Sequence, residues 1–118
     1  MNREIKFRGK RLNNGEWIYG YFVKDGNGKS RIYLKPFDEA TSNTWFYVDE
    51  KTVGQFTTLF DIKNKEIYDG DVDLNGYVVK FKYGAFVLEK GSSWFYLSDG
   101  DWIEIISNIY ENPELLQP

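Results

Sequence analysis

The stretch Asn14-Gly15-Glu16-Trp17-Ile18-Tyr19-Gly20-Tyr21-Phe22-Val23 decides the fold class. Asn-Gly is turn chemistry, and the residues behind it alternate. Trp17, Tyr19, Tyr21 and Val23 fall on one face of an extended chain, and Ile18, Gly20 and Phe22 on the other. Aromatic and β-branched side chains suit a pleated, half-buried surface. A strand over 16–23 follows. Asp25-Gly26-Asn27-Gly28 then predicts a turn, and Arg31 to Leu34 the return strand of a hairpin.

The same grammar runs outward along the chain. Thr44 to Val48, Thr52 to Leu59 and Glu66 to Tyr68 have strand character, separated by polar loops over 36–43 and 61–65. Asn75-Gly76 predicts a tight hairpin between Asp71–Leu74 and Tyr77–Tyr83. Ala85 to Leu88, Trp94 to Leu97 and Trp102 to Tyr110 are further short strands. Apolar residues nowhere hold helical spacing, so no long helix is expected. Asn112-Pro113-Glu114 predicts one helical turn at the tail. Nine Phe, nine Tyr and four Trp stand against only two Ala, Ala40 and Ala85, which points the same way. With 118 residues, the chain has room for about one domain. Many short strands in one domain suggest a barrel or small packed sheets.

Much chemistry is excluded by composition. The chain has no Cys and no His. Zinc sites of the Cys/His kind, thiolate nucleophiles and Ser-His-Asp triads therefore cannot form. No segment approaches the roughly 20 apolar residues of a membrane span, and the opening lacks the apolar run of a signal peptide. The expectation is a soluble cytoplasmic protein with no membrane partner.

Three features carry possible function. Asp71-Val72-Asp73-Leu74-Asn75-Gly76 matches the start of an EF-hand calcium loop, but its twelfth position is Lys82 where a bidentate Glu is required. We read it as a hairpin, with no metal and no cofactor expected. Carboxylate pairs such as Asp69 and Asp71 suit acid/base chemistry only if they converge in a pocket, so no catalytic residue is assigned and no enzyme is expected. The opening carries Arg3, Lys6, Arg8, Lys10 and Arg11 against Glu4, near Phe7 and Trp17. Basic groups among aromatics suit single-stranded nucleic acid. The chain as a whole is at −3, which favours a solvated strand instead. The end is acidic: Gly91 to Pro118 holds Asp99, Asp101, Glu104, Glu111 and Glu114 and no Lys or Arg. The two charged ends attract either within one chain or between subunits.

Three stretches resemble the YopX family of phage and prophage proteins. They are Arg3-Glu4-Ile5-Lys6-Phe7-Arg8-Gly9; Thr52-Val53-Gly54-Gln55-Phe56-Thr57 with Lys65-Glu66-Ile67-Tyr68-Asp69-Gly70-Asp71-Val72; and Ile106-Ser107-Asn108-Ile109-Tyr110-Glu111-Asn112-Pro113-Glu114-Leu115-Leu116. They lie in family order and span nearly the whole chain. Lys63-Asn64-Lys65 departs from the family's usual Asn-Gly turn, and Asp73 from its usual apolar or basic residue. The resemblance implies an all-β fold with a small barrel-like, SH3-like portion plus additional hairpins. It places an N-terminal β portion over 1–56 and the barrel-like portion over 57–118. It implies a phage or prophage setting and oligomer formation, and it leaves the biochemical activity open. Our own leading reading is an accessory protein of the bacterial cytoplasm that works by protein–protein contacts as a homo-oligomer, with a phage or host protein as a further partner. The resemblance supplies no catalytic residues. Nucleic-acid binding through Arg3, Lys6, Arg8, Lys10 and Arg11 is the alternative.

Overall fold

The structure is a computed structural model and describes residues 5–34, 44–98 and 100–111. Among these, every regular element is a strand except one 3-10 turn, Glu50–Thr52. No helix among the described residues is long and apolar enough to cross a membrane. The chain divides into two compact units, Met1–Gln55 and Phe56–Pro118.

In the first unit the strands are β1 (Phe7–Lys10), β2 (Trp17–Lys24), β3 (Ser30–Tyr33), β4 (Trp45–Tyr47) and the start of β5 (Gly54–Phe60). They pair antiparallel in the order β4-β3-β2-β1-β5. The alternation of β2 has an added use. Its first half, Trp17 to Gly20, pairs with β1, and its second half, Tyr21 to Lys24, pairs with β3. Gly20 stands at this change of partner. A Cβ there would lie 2.0 Å from the carbonyl oxygen of Tyr33, so only glycine lets the strand turn this corner. Beyond β1 and β4, Arg11 bridges Val48, and the amide of Leu12 donates to the carbonyl of Tyr47. The chain just past β1 and the chain just past β4 thus meet at one corner, where Val48 is buried. The strand expected from Thr52 begins instead at Gly54. Asp49 accepts from the amide of Lys51 and caps the 3-10 turn, which takes up Thr52.

In the second unit the end of β5 pairs with β6 (Glu66–Tyr68). A five-stranded antiparallel sheet follows, from β7 (Asp71–Asp73), β8 (Val78–Lys82), β9 (Ala85–Lys90), β10 (Ser93–Tyr96) and β11 (Ile105–Asn108), in the order β10-β9-β8-β7-β11. Asn75-Gly76 makes the expected hairpin between β7 and β8. Tyr83 and Gly84, both at positive φ, turn β8 into β9. Ile67, Val79, Leu88, Leu97, Ile103 and Ile105 form the buried core. Each comes from a short strand or its flank, so the apolar face is assembled from pieces too short to stand alone.

The all-β class agrees with the sequence. The barrel-like portion expected over 57–118 needs correcting: this sheet stays open, with β10 and β11 at its two edges. Closure requires the edge strands to pair, and among the described residues each has one strand neighbour. The last strand is also shorter than the expected 102–110, because β7 offers only Asp71 to Asp73 as a partner. The helical turn expected at Asn112 and the loop expected over 36–43 lie outside the described residues.

Candidate functional site

Three acidic side chains are spent on turns, among them Asp73 of the segment that resembles a calcium loop. Asp25 accepts from the amides of Asn27 and Lys29, both at 2.9 Å. Asp61 accepts from the amides of Lys63 (2.9 Å) and Lys65 (2.8 Å), and Asp73 from those of Asn75 (3.0 Å) and Tyr77 (2.8 Å). In each turn the fourth residue donates its amide back to the Asp carbonyl and takes positive φ: Gly28, Asn64 and Gly76. One turn is thus built three times, with Asp as its internal acceptor. Asn64 reaches the left-handed conformation without glycine, so the Lys63-Asn64-Lys65 departure keeps the turn. Asp71 turns inward as well, accepting from the amide of Tyr68 at 2.8 Å. We therefore expect no saturable calcium binding at Asp71 to Gly76 in the micromolar range of EF-hand sensors. A one-to-one isotherm in titration calorimetry would contradict this account of the two carboxylates.

Asp61 is the most committed of these groups. It is buried, and its second oxygen accepts from the amide of Ile105 at 2.8 Å, 44 residues away. Burial pushes its carboxyl up. The amides of Ile105, Lys65 and Lys63 outweigh that and hold it below the ordinary carboxylate range. The Lys65 ammonium donates to the carbonyl of Ile105 at 3.0 Å and completes the clasp on β11.

Among the described residues of the basic opening, Arg11 stands apart from the others. Arg3 lies outside the described residues. Lys6 is half-buried just before β1. Arg8 and Lys10 share one face of β1, with the Arg8 guanidinium 4.8 Å and the Lys10 ammonium 5.7 Å from the Trp17 ring centroid. Arg11 sits on the opposite alternation, 3.8 Å over Phe46. Arg8 is buried, so this is not the solvated strand that net charge suggested.

Two surfaces emerge that no sequence window displayed. On β3 and β4, Arg31 lies opposite Tyr47, and Tyr33 opposite Trp45. The Arg31 guanidinium stands 4.0 Å over Trp45, and Lys29 places its ammonium 5.5 Å from the Tyr47 centroid. The sequence marked both strands, but their register decides which ring meets which cation. The second surface is β10, exposed at all four positions. Trp94 lies tilted against Tyr83 at 4.8 Å and meets Tyr96 edge-on at 5.2 Å. Phe95 faces the other way, against Tyr77 and Trp102.

Compared with known families, the chain matches the model for "YopX protein" over residues 6–117. The chain belongs to the YopX family. A comparison with curated proteins finds no match. Within this YopX chain the signature residues serve the fold. Ile67, Tyr68 and Val72 are buried. Asn108 caps the turn after β11, accepting from the amides of Tyr110 (2.9 Å) and Glu111 (3.0 Å). Asn112 lies outside the described residues.

Proposed function

We propose that this YopX protein is a non-enzymatic phage or prophage accessory protein of the host cytoplasm, acting through protein–protein contacts as a homo-oligomer. One observation carries the reading. β10 is the edge of its sheet, and Trp94, Phe95 and Tyr96 are 41%, 37% and 54% exposed along it. Sheet edges are templates for pairing with another chain, and monomers blunt them with short strands, charge, proline or bulges. The edge Ser93-Trp94-Phe95-Tyr96 is four residues long but has neither charge nor proline, and its register with β9 is unbroken. Tyr, Trp and Phe are the side chains enriched at the cores of interfaces.

Light scattering on the full chain, at several protein concentrations and in low and high salt, tests it. The expected mass is a multiple of 13.9 kDa that persists in high salt. Trp94→Lys combined with Tyr96→Lys, which charges the edge, should return the mass to that of one chain. A single-chain mass for the wild type throughout defeats the proposal. Complete dissociation by salt alone assigns the assembly to charge and not to the aromatic edge.

A further inference from the structure

We propose that the β3–β4 face of the N-terminal unit binds single-stranded nucleic acid, with bases against Tyr47 and Trp45 and phosphates at Lys29 and Arg31. Single-strand binders combine aromatic platforms, on which any base can stack, with cations that track the backbone. Both are present at one place. Trp45 and Tyr47 meet edge-on at 4.9 Å and lie on the same face of β4. Arg31 lies against both, 4.0 Å from the Trp45 ring centroid and 5.4 Å from that of Tyr47. Its guanidinium is aimed by Asp25 (3.2 Å) and by the Tyr33 hydroxyl (3.2 Å).

Two open grooves flank Tyr47 and share Leu12. One is lined by Leu12, Asn13, Trp45, Phe46 and Tyr47; the other includes Lys29, Ser30 and Val48. Each holds about 270 Å³ with a mostly apolar lining, which suits a planar ring system more than an extended acidic peptide. The second groove also carries Asp49 and Glu50. Glu50 pairs at the surface with the Lys24 ammonium at 3.1 Å, and Asp49 accepts from the amide of Lys51.

Charge segregation supports a polyanion at this unit. Residues 1–55 hold ten Lys and Arg against seven Asp and Glu, while 56–118 hold five against eleven. The chain's net −3 therefore conceals a +3 unit and a −6 unit. The platform is not the basic opening: its cations come from the turn before β3 and from β3 itself.

The test is fluorescence anisotropy of the full chain with a labelled oligothymidylate of about 15 nucleotides. Saturable binding is expected near 50 mM salt, with log K falling against log salt at a slope of about −1.4 for two neutralised phosphates. Lys29→Glu, at an exposed position, should weaken binding and remove about 0.7 from the slope. Tyr47→Ala should weaken it about tenfold or more. Lys63→Glu makes the same charge change in the other unit and should leave binding as it was. Circular dichroism confirms that each variant is folded, and Lys29→Glu keeps the test decisive if Tyr47→Ala is not. No saturable binding overturns the proposal. So do equal losses for Lys29→Glu and Lys63→Glu, or equal affinity for a polyaspartate peptide.

Discussion

Replacing Asp61 with Ala should lower the melting temperature by more than about 10 °C. Three amides, those of Lys63, Lys65 and Ile105, donate to this one buried carboxylate. Hydrogen bonds to charged groups contribute about 1.5–3 kcal/mol each, and the loss is largest where a buried donor is left unpaired. Even with water repairing the two loop amides, about 3 kcal/mol is at stake, and each kcal/mol moves a domain of this size by roughly 4 °C. Asp61→Asn keeps one acceptor oxygen for the turn and should cost less. A melting temperature for Asp61→Ala within about 2 °C of wild type would refute the clasp.

The same group gives a pH dependence with a definite sign. Its carboxyl is held below the ordinary value in the folded chain. The stability it contributes is present above the unfolded value near 3.9 and is lost as pH falls through the lower folded value. Wild-type melting temperature should therefore drop below about pH 4. Asp61→Asn should drop less steeply there. It keeps a remainder from Asp25, lowered first by the amide of Lys29, and from Glu89, lowered first by Lys82.

Gly20→Ala is the second large effect. Its Cβ would stand 2.0 Å from the Tyr33 oxygen and 3.0 Å from the Tyr33 carbonyl carbon. The obstacle is backbone, held by the β2–β3 pairing of Tyr21 with Tyr33, so no side-chain rotation relieves it. Overpacking usually costs about 1–3 kcal/mol, and a clash with paired backbone belongs at or above the upper end. Gly26→Ala is the matched control, since nothing lies within 4 Å of a Cβ there. Urea denaturation should separate the two variants by about 3 kcal/mol. Equal midpoints would mean that β2 passes the corner without needing glycine.

These effects divide what was legible in the sequence from what was not. The period-2 alternation of Trp17 to Val23 and the Asn75-Gly76 turn specified strands and hairpins, because side-chain alternation and turn chemistry are local properties of a few residues. Family membership was legible too, since its motifs follow the chain in order. The roles of particular side chains were not. Asp61 resembles any loop carboxylate until Ile105 arrives from 44 residues away. Arg8 resembles a solvated cation until β2 lays Trp17 beside it. Arg31 meets Trp45 and Tyr47 only through the β3–β4 register, and Trp94 to Tyr96 become an edge only because β9 has β8 on its other side. Register and edge position arise from long-range pairing, where energy is gained between segments with no signal in either one alone. The all-β class, the hairpins and the turns were thus determined by sequence. The buried clasp, the aromatic–cationic face and the exposed edge were decided by tertiary structure, because each depends on which distant strand became a neighbour.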